Sequence, residues 1–444
     1  MKHNKIGLSA LTALVFSSMV GAGIFSLPQN MAEVAGVNAV LVGWLITGVG
    51  ILLLAGCILK LSRVRSELDG GIYIYAREGF GDFAGFLSAW GYWLCATIGV
   101  VGYLVVAFAA LGAFIDTPQH TIFGDGNTFW AFLGESLILW IVHSIIVKGV
   151  KQAAFVNLLG TVAKTLPLLL FIGVTYYYFE PSTFELNRTQ INLETDFIQQ
   201  VKDTMLITLW VFTGIEGAVV LSARAKARKD IGIATCVGVV VALILYIAIT
   251  MLSFGVMRQP ELAALSNPSM SGIMGLIGGE TGKLVLSLGL IISVLASYLS
   301  WIIYAAEVPN SAAKYGAFPA LFKKQNHNGT SIASLTLTSL TVQACLVLVL
   351  FTGESYNTLV LISTSMILVP YFLVAAFMVK VSYQLSLSPA VKLMGVGASV
   401  YGIWLIYAAG LDNLVLSLIL YVPGAIVYAY SRNTQRKGIG VKAA

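Results

Sequence analysis

An apolar run from Ile6 to Met31 is broken near its middle by glycines, in the stretch Ser17-Ser18-Met19-Val20-Gly21-Ala22-Gly23-Ile24-Phe25. A run of this length is enough to cross a bilayer, which takes ~20 residues. In lipid every backbone amide and carbonyl must find a partner, so an unwound segment at that depth survives only where it is buried in protein or lines a cavity. A second break, Trp210-Val211-Phe212-Thr213-Gly214-Ile215-Glu216-Gly217, follows about half a chain later. Paired interruptions in corresponding places of two halves point to a transporter binding site.

Hydrophobic residues make up 58% of the 444-residue chain and charged residues 10%, where a soluble domain carries ~25% charged. A soluble core cannot absorb that excess. Further runs at Val37 to Leu59, Phe83 to Phe114 and Leu158 to Phe179 have spanning length, so the reading is an all-α polytopic membrane protein. Twelve transmembrane helices are expected, at roughly residues 7 to 34, 37 to 62, 83 to 116, 127 to 148, 152 to 179, 200 to 225, 231 to 256, 281 to 312, 330 to 351, 356 to 381, 390 to 410 and 412 to 432. Lys2 and Lys5 ahead of the first run suggest a signal peptide. The run is too long for one and lacks a small-residue cleavage pattern, so it is expected to remain in the mature protein.

With the N-terminus inside, Arg188, Lys202, Arg258 and Lys283 fall outside and Lys164 falls within a span, while every other lysine and arginine lies on inner loops, span ends or termini. The positive-inside rule is satisfied with both termini cytoplasmic, in a cell inner membrane. The net charge of +6 is therefore a topology signal, and no nucleic-acid partner is implied. Cys57, Cys95, Cys236 and Cys345 sit in apolar runs at wide separations, which suits small hydrophobes better than metal or disulfide chemistry. The four histidines form no cluster. No metal, cofactor or enzymatic nucleophile with its base is expected.

Spans 1 and 6 both carry a break, so spans 1 to 5 and 6 to 10 read as a 5+5 inverted repeat with broken helices 1 and 6. An odd number of spans per unit makes the second unit enter from the opposite side. The expected divisions are 1–182 for the first repeat and an outer loop, 183–385 for the second repeat, and 386–444 for helices 11 and 12 with the tail. Soluble elements are expected at Arg63 to Asp82, Glu180 to Asp196 and Pro260 to Gly279.

A break at Gly21 to Gly23 leaves the amides of Ala22, Gly23 and Ile24 without intrahelical acceptors, and the following half-helix adds positive dipole there. That is a carboxylate site. Carbonyls freed at Ser18, Met19, Val211 and Thr213 suit an ammonium, and the two together describe an α-amino acid. Glycines that only allow close helix packing are the competing explanation. Glu216 within the second break tips the balance, since intramembrane acids are costly and functional by default. Trp210 starts that break, and Trp301 lies mid-span where a cationic side chain could stack on its indole. Tyr92, Trp93 and Tyr371 are further candidates for the cavity wall. Lys164 sits centrally in span 5, suited to proton exchange. Glu307 reads as a structural partner for a loop base, and Glu135 and His143 as peripheral.

The motifs Gly21-Ala22-Gly23-Ile24-Phe25 with Leu27-Pro28, Gly70-Gly71-Ile72-Tyr73-Ile74-Tyr75-Ala76-Arg77, Trp210 to Glu216, and Gly316-Ala317-Phe318-Pro319 occur in order at matching spacing. In these the chain resembles the amino acid–polyamine–organocation superfamily over nearly its whole length. Within it the chain looks like the basic amino acid/polyamine antiporters, in particular the arginine/ornithine branch. The resemblance implies a LeuT-like fold and alternating-access exchange of a cationic amino acid for ornithine or a related amine.

Matched to the similar arginine/agmatine exchangers, Ala22 and Gly23 correspond to carboxylate-binding amides. Met19, Trp210 and Thr213 correspond to contacts around the α-amino group and side chain, Trp301 to the stacking tryptophan, Glu216 to the gating or proton-linked acid and Ser363 to a polar contact. Val100 departs from the pattern, standing where those exchangers have asparagine, which keeps lysine, ornithine and histidine open beside arginine. Lys164 departs as well, and matches a lysine of related proton-coupled transporters. A proton-driven symporter is therefore the alternative, and an amino acid sensor a remote one. Membrane lipid is the expected surrounding, and a homodimer is compatible with the sequence.

Overall fold

The computed structural model describes residues 8–68, 71–117, 119–148, 153–189, 193–216 and 228–440. Among them regular structure is helical, apart from one isolated bridge between Thr117 and His120. The helices are α1 (Leu8–Met19), α2 (Leu27–Val34), α3 (Val37–Val64), α4 (Ile72–Phe80), α5 (Asp82–Ile115), α6 (Phe129–Val147), α7 (Ala153–Tyr177) and α8 (Pro181–Thr189). They continue with α9 (Phe197–Trp210), α10 (Arg228–Val256), α11 (Gln259–Ala263), α12 (Ser269–Lys314), α13 (Ile332–Thr352), α14 (Tyr356–Gln384), α15 (Pro389–Ala408) and α16 (Gly410–Gly440).

Nine helices among the described residues are long and apolar enough to cross a membrane. Helices dominate because each closes its own backbone hydrogen bonds, the condition for passing through hydrocarbon. Burial separates an inner layer from an outer one. In α5 the most apolar stretch is 78% buried and in α14 67%, against 22% in α6 and 17% in α16. Leu411, Leu418, Val422 and Ile426 of α16 stand exposed, as lipid-facing side chains do.

Boundaries expected from the apolar runs agree to within a few residues except in three places. The sixth expected span stops being helical at Trp210, and residues 217 to 227, which include Gly217, Arg224 and Lys226, lie outside the described residues. The eighth begins earlier than expected, since α12 starts at Ser269 and bends at Gly279, where φ is 63°. That bend at Gly279 joins a short helix to a long one and falls at the end of the segment expected near Pro260 to Gly279. The last helix, α16, runs on past residue 432 to Gly440.

Polar side chains pin the helices together at intervals. Thr47 and Thr208 share a hydrogen bond of 2.6 Å between α3 and α9. Trp90 Nε1 donates to Leu420 O at 3.0 Å, and Trp93 Nε1 to Thr338 Oγ1 at 3.1 Å. After α5 the carboxylate of Asp116 accepts the amides of Ile122 at 2.8 Å, Phe123 at 3.0 Å and Gly124 at 2.6 Å. Partial burial pushes this carboxyl up, but the three amides outweigh it and hold it below its ordinary value.

Two hydrogen bonds tie α9 to the turn between α2 and α3, and α8 to the start of α3. Gly36 N, in the turn after α2, donates to Gln200 Oε1 at 3.1 Å, and Arg188 Nε to Asn38 Oδ1 at 3.4 Å. Thus α9 starts on the face where α2 ends, called here the second face, and runs towards the first face, where α1 begins. The two interrupted helices approach the middle of the molecule from opposite sides.

Candidate functional site

The first break is bounded by its backbone ladder. Val20 N donates to Phe16 O at 3.0 Å, and the ladder resumes with Phe25 N donating to Ala22 O at 3.1 Å. The amides of Gly21, Ala22, Gly23 and Ile24 fall between, followed by a 3-10 turn at Gly23–Ser26 and then α2. Amides at the start of a helix carry its partial positive charge.

The second break starts where α9 ends at Trp210 and continues as turns through Glu216. Gly214 sits at φ 110°, a conformation that side chains rarely adopt, and a Cβ there would come 2.5 Å from Ser18 O. Ser18 Oγ donates to Gly214 O at 3.1 Å. The two breaks are therefore in direct contact. Of the carbonyls expected to serve an ammonium, Val211 O already accepts from Tyr246 Oη at 2.8 Å.

Between the breaks lies a small, partly open cavity. Met19, Gly21 and Gly23 line it from the first break, and Trp210, Val211 and Thr213 from the second. Cys95, Ala96, Gly99 and Tyr103 come from α5 and Trp301 from α12. The Trp210 indole reaches across, with a Cβ on Gly23 or on Gly99 falling 2.7 Å from it. Its Nε1 donates to Tyr356 Oη, at the start of α14, at 3.3 Å. Trp301 packs edge-on against Tyr304, their centroids 6.0 Å apart, and its Cζ2 lies 3.2 Å from where a Gly214 Cβ would stand.

Two buried charged side chains flank the breaks. Lys164 of α7 is 2% exposed. Its Nζ donates to Ser17 O at 2.9 Å, Val20 O at 2.8 Å and Ser297 Oγ at 3.4 Å. The ammonium thus closes the carbonyl end of α1, where the helix dipole is negative. Glu216 is 5% exposed, beyond the cavity on the side of the first face. Tyr92 Oη donates to its Oε1 at 2.8 Å and Tyr371 Oη to its Oε2 at 2.8 Å, which joins α5, α14 and the second break.

On the second face an amide cluster joins three elements. Asn267 Nδ2 donates to Gln29 Oε1 at 2.9 Å, Asn30 Oδ1 at 3.0 Å and Asn357 Oδ1 at 2.9 Å. Asn357 Nδ2 donates in turn to Glu33 Oε2 at 3.0 Å. Here α2, the segment before α12, and α14 are held together.

Met19, Gly23, Trp210, Thr213 and Trp301, singled out from the sequence, meet at this cavity. Ala22 and Ile24 are fully buried and belong to the break through their backbones. Ser363 stands behind the wall, donating to Cys95 O at 2.6 Å, and Val100 is fully buried beside the lining Gly99. Tyr92 and Tyr371, expected as wall residues, hold Glu216 instead, and Trp93 is bonded to Thr338. Glu307 accepts from Asn310 and Ser311 and lies 3.7 Å from Lys314, a structural pairing as expected. His143 pairs with Ser339 across α6 and α13, and Glu135 is buried within α6.

Cys95, Tyr103 and Tyr356 were not singled out from the sequence as site residues. A signal was present for the first two: Tyr92, Ala96, Gly99 and Tyr103 recur at helical spacing on one face of α5, with Cys95 beside them. Tyr356 carries no such signal, because only the packing of α14 against α9 brings it to Trp210.

The chain is similar to known proteins over nearly its whole length. The family profile described as amino acid permease matches residues 6–439. An Escherichia coli (strain K12) protein provisionally named arginine/ornithine antiporter is 55% identical over 432 residues, covering 97% of this chain and 93% of that protein. The arginine/ornithine antiporter of Pseudomonas aeruginosa is 44% identical, covering 97% and 91%. The arginine/agmatine antiporter of Chlamydia abortus is 43% identical, covering 95% and 89%.

Proposed function

The chain belongs to the amino acid permease family, and we propose that it exchanges a cationic amino acid, arginine, for ornithine or a related amine across the membrane by alternating access. The observation that carries this reading is the meeting of two helix breaks around one mid-membrane cavity, with free amides on one side and an indole on the other. The substrate carboxylate sits on the amides of Gly21 to Ile24, the α-amino group at the carbonyl ends of the breaks near Met19 and Thr213, and the cationic side chain over Trp301. Stacking of a desolvated cation on an indole contributes ~2 kcal/mol or more.

The wider architecture proposed is twelve spans in a LeuT-like 5+5 inverted repeat, with units 1–182 and 183–385 and helices 11 and 12 in 386–444. Nine long apolar helices, with α1, α2 and α9 bordering the breaks, support it. Both termini lie in the cytoplasm and the protein resides in the inner membrane, which makes the first face cytoplasmic, and two copies pair as a homodimer. On this orientation Trp210 with Tyr356 closes the cavity towards the outside, and Glu216 with Tyr92 and Tyr371 closes it towards the cytoplasm. Exchange follows if the unliganded carrier reorients poorly, the free amides and carbonyls of the breaks being too costly to move without a ligand.

A second reading, proton-driven symport, rests on Lys164, whose buried ammonium bonds to the end of α1. Purified protein in proteoliposomes separates the two. Labelled arginine uptake is expected to depend on internal ornithine and to be near background in empty vesicles under an inward proton gradient. Equal uptake with and without internal ornithine overturns exchange, and gradient-driven uptake into empty vesicles establishes symport.

A further inference from the structure

Tyr103 projects from α5 into the cavity beside the first break. A Cβ on Gly21 would fall 2.6 Å from its hydroxyl oxygen, so the hydroxyl lies against the backbone at the start of the free amides. Most hydroxyls around the site are already committed to the protein. Tyr356 Oη accepts from Trp210, Thr213 Oγ1 donates to Leu209 O, and Tyr92 and Tyr371 donate to Glu216. Among the described residues no hydrogen-bond partner closes on the Tyr103 hydroxyl. The residue as a whole is buried but lines the cavity, where a bound ligand can supply an acceptor.

We propose that Tyr103 is a specificity residue for the carboxylate. Its O–H donates to the substrate carboxylate as that group settles on the amides of Gly21 to Ile24, adding a side-chain donor to a backbone site. A carboxylate has acceptor capacity for both. The placement also explains why Gly21 carries no side chain, since a methyl group there would displace the hydroxyl from the amides. This inference rests on the exchange reading above, and it predicts that the site rejects decarboxylated amines more strongly than amides alone would.

The test is Tyr103→Phe, which keeps the ring and removes the donor. Wild-type protein is first shown to take up arginine against internal ornithine; failure there would refute the exchange reading and not this contact. In the variant the KM for arginine and that for ornithine are expected to rise by the same factor, about tenfold or more for one lost bond to a charged group. Vmax is expected to stay within a small factor. Agmatine, which lacks the carboxylate, is expected to compete equally well against both proteins. An unchanged arginine KM overturns the proposal, as does a rise confined to arginine, which would place Tyr103 at the guanidinium. An equal loss of agmatine competition would show that the ring change merely disturbs the cavity, and overturns it too.

Discussion

Lys164 shows how much a single side chain settles at membrane depth. Its ammonium replaces, for Ser17 O and Val20 O, the hydrogen-bond donors that the break takes away from the end of α1. Each buried carbonyl left without a partner costs ~1–3 kcal/mol. Lys164→Ala is therefore expected to loosen the first break and weaken arginine binding by about tenfold or more, measured calorimetrically on detergent-purified protein. Unchanged affinity would separate Lys164 from the integrity of the break. Lys164 was legible in the sequence because a lysine in the middle of an apolar run has few neutral explanations. Tyr103 and Tyr356 were less so, since tyrosines are common in such runs and only their neighbours distinguish a wall residue from a packing one. Ser363 illustrates the converse: a polar residue matched to a ligand contact donates here to Cys95 O.

At the scale of elements, the breaks were readable and their contacts were not. Glycine pairs inside apolar runs can only be packing devices or unwound segments, and the acid in the second run favours the latter. Which surfaces meet depends on α5, the most buried of the long helices, whose stripe of small residues leaves room for the Trp210 indole. Gly23→Ala is expected to push that indole off the first break, because the added methyl carbon would stand 2.7 Å from Trp210 Cδ1 and 3.0 Å from Val211 Cγ1. Exchange should be nearly abolished while the purified variant still elutes as a folded species. Wild-type exchange rates would mean that the indole does not need its seat on Gly23. The bend of α12 at Gly279 was foreseen only as an outer segment, because an apolar run does not reveal whether a helix starts before or after a glycine.

At the scale of the whole molecule, the proposed exchange requires one closure on each side of the cavity. On the first face Glu216 is held by two tyrosines, and on the second the amide cluster around Asn267 ties α2 to α14. Asn267→Ala removes the donor to Gln29, Asn30 and Asn357 together. In protein whose only cysteine is Cys95, a cavity thiol, this change is expected to speed labelling by a membrane-impermeant reagent from the second face several-fold. An unchanged rate would show that the cluster does not close that side. The sequence by itself determined the all-helical membrane-spanning fold and the site of the breaks, because bilayer thickness and the cost of bare backbone in lipid act on local stretches of chain. It also pointed to an amino acid as the ligand class, through the backbone groups that the break is expected to expose. Only the tertiary structure decided which side chains line the cavity between the breaks and which backbone carbonyls are already engaged. Those depend on residues from α5, α7, α12 and α14, far apart in the chain, and packing between helices leaves no periodic trace in any one of them.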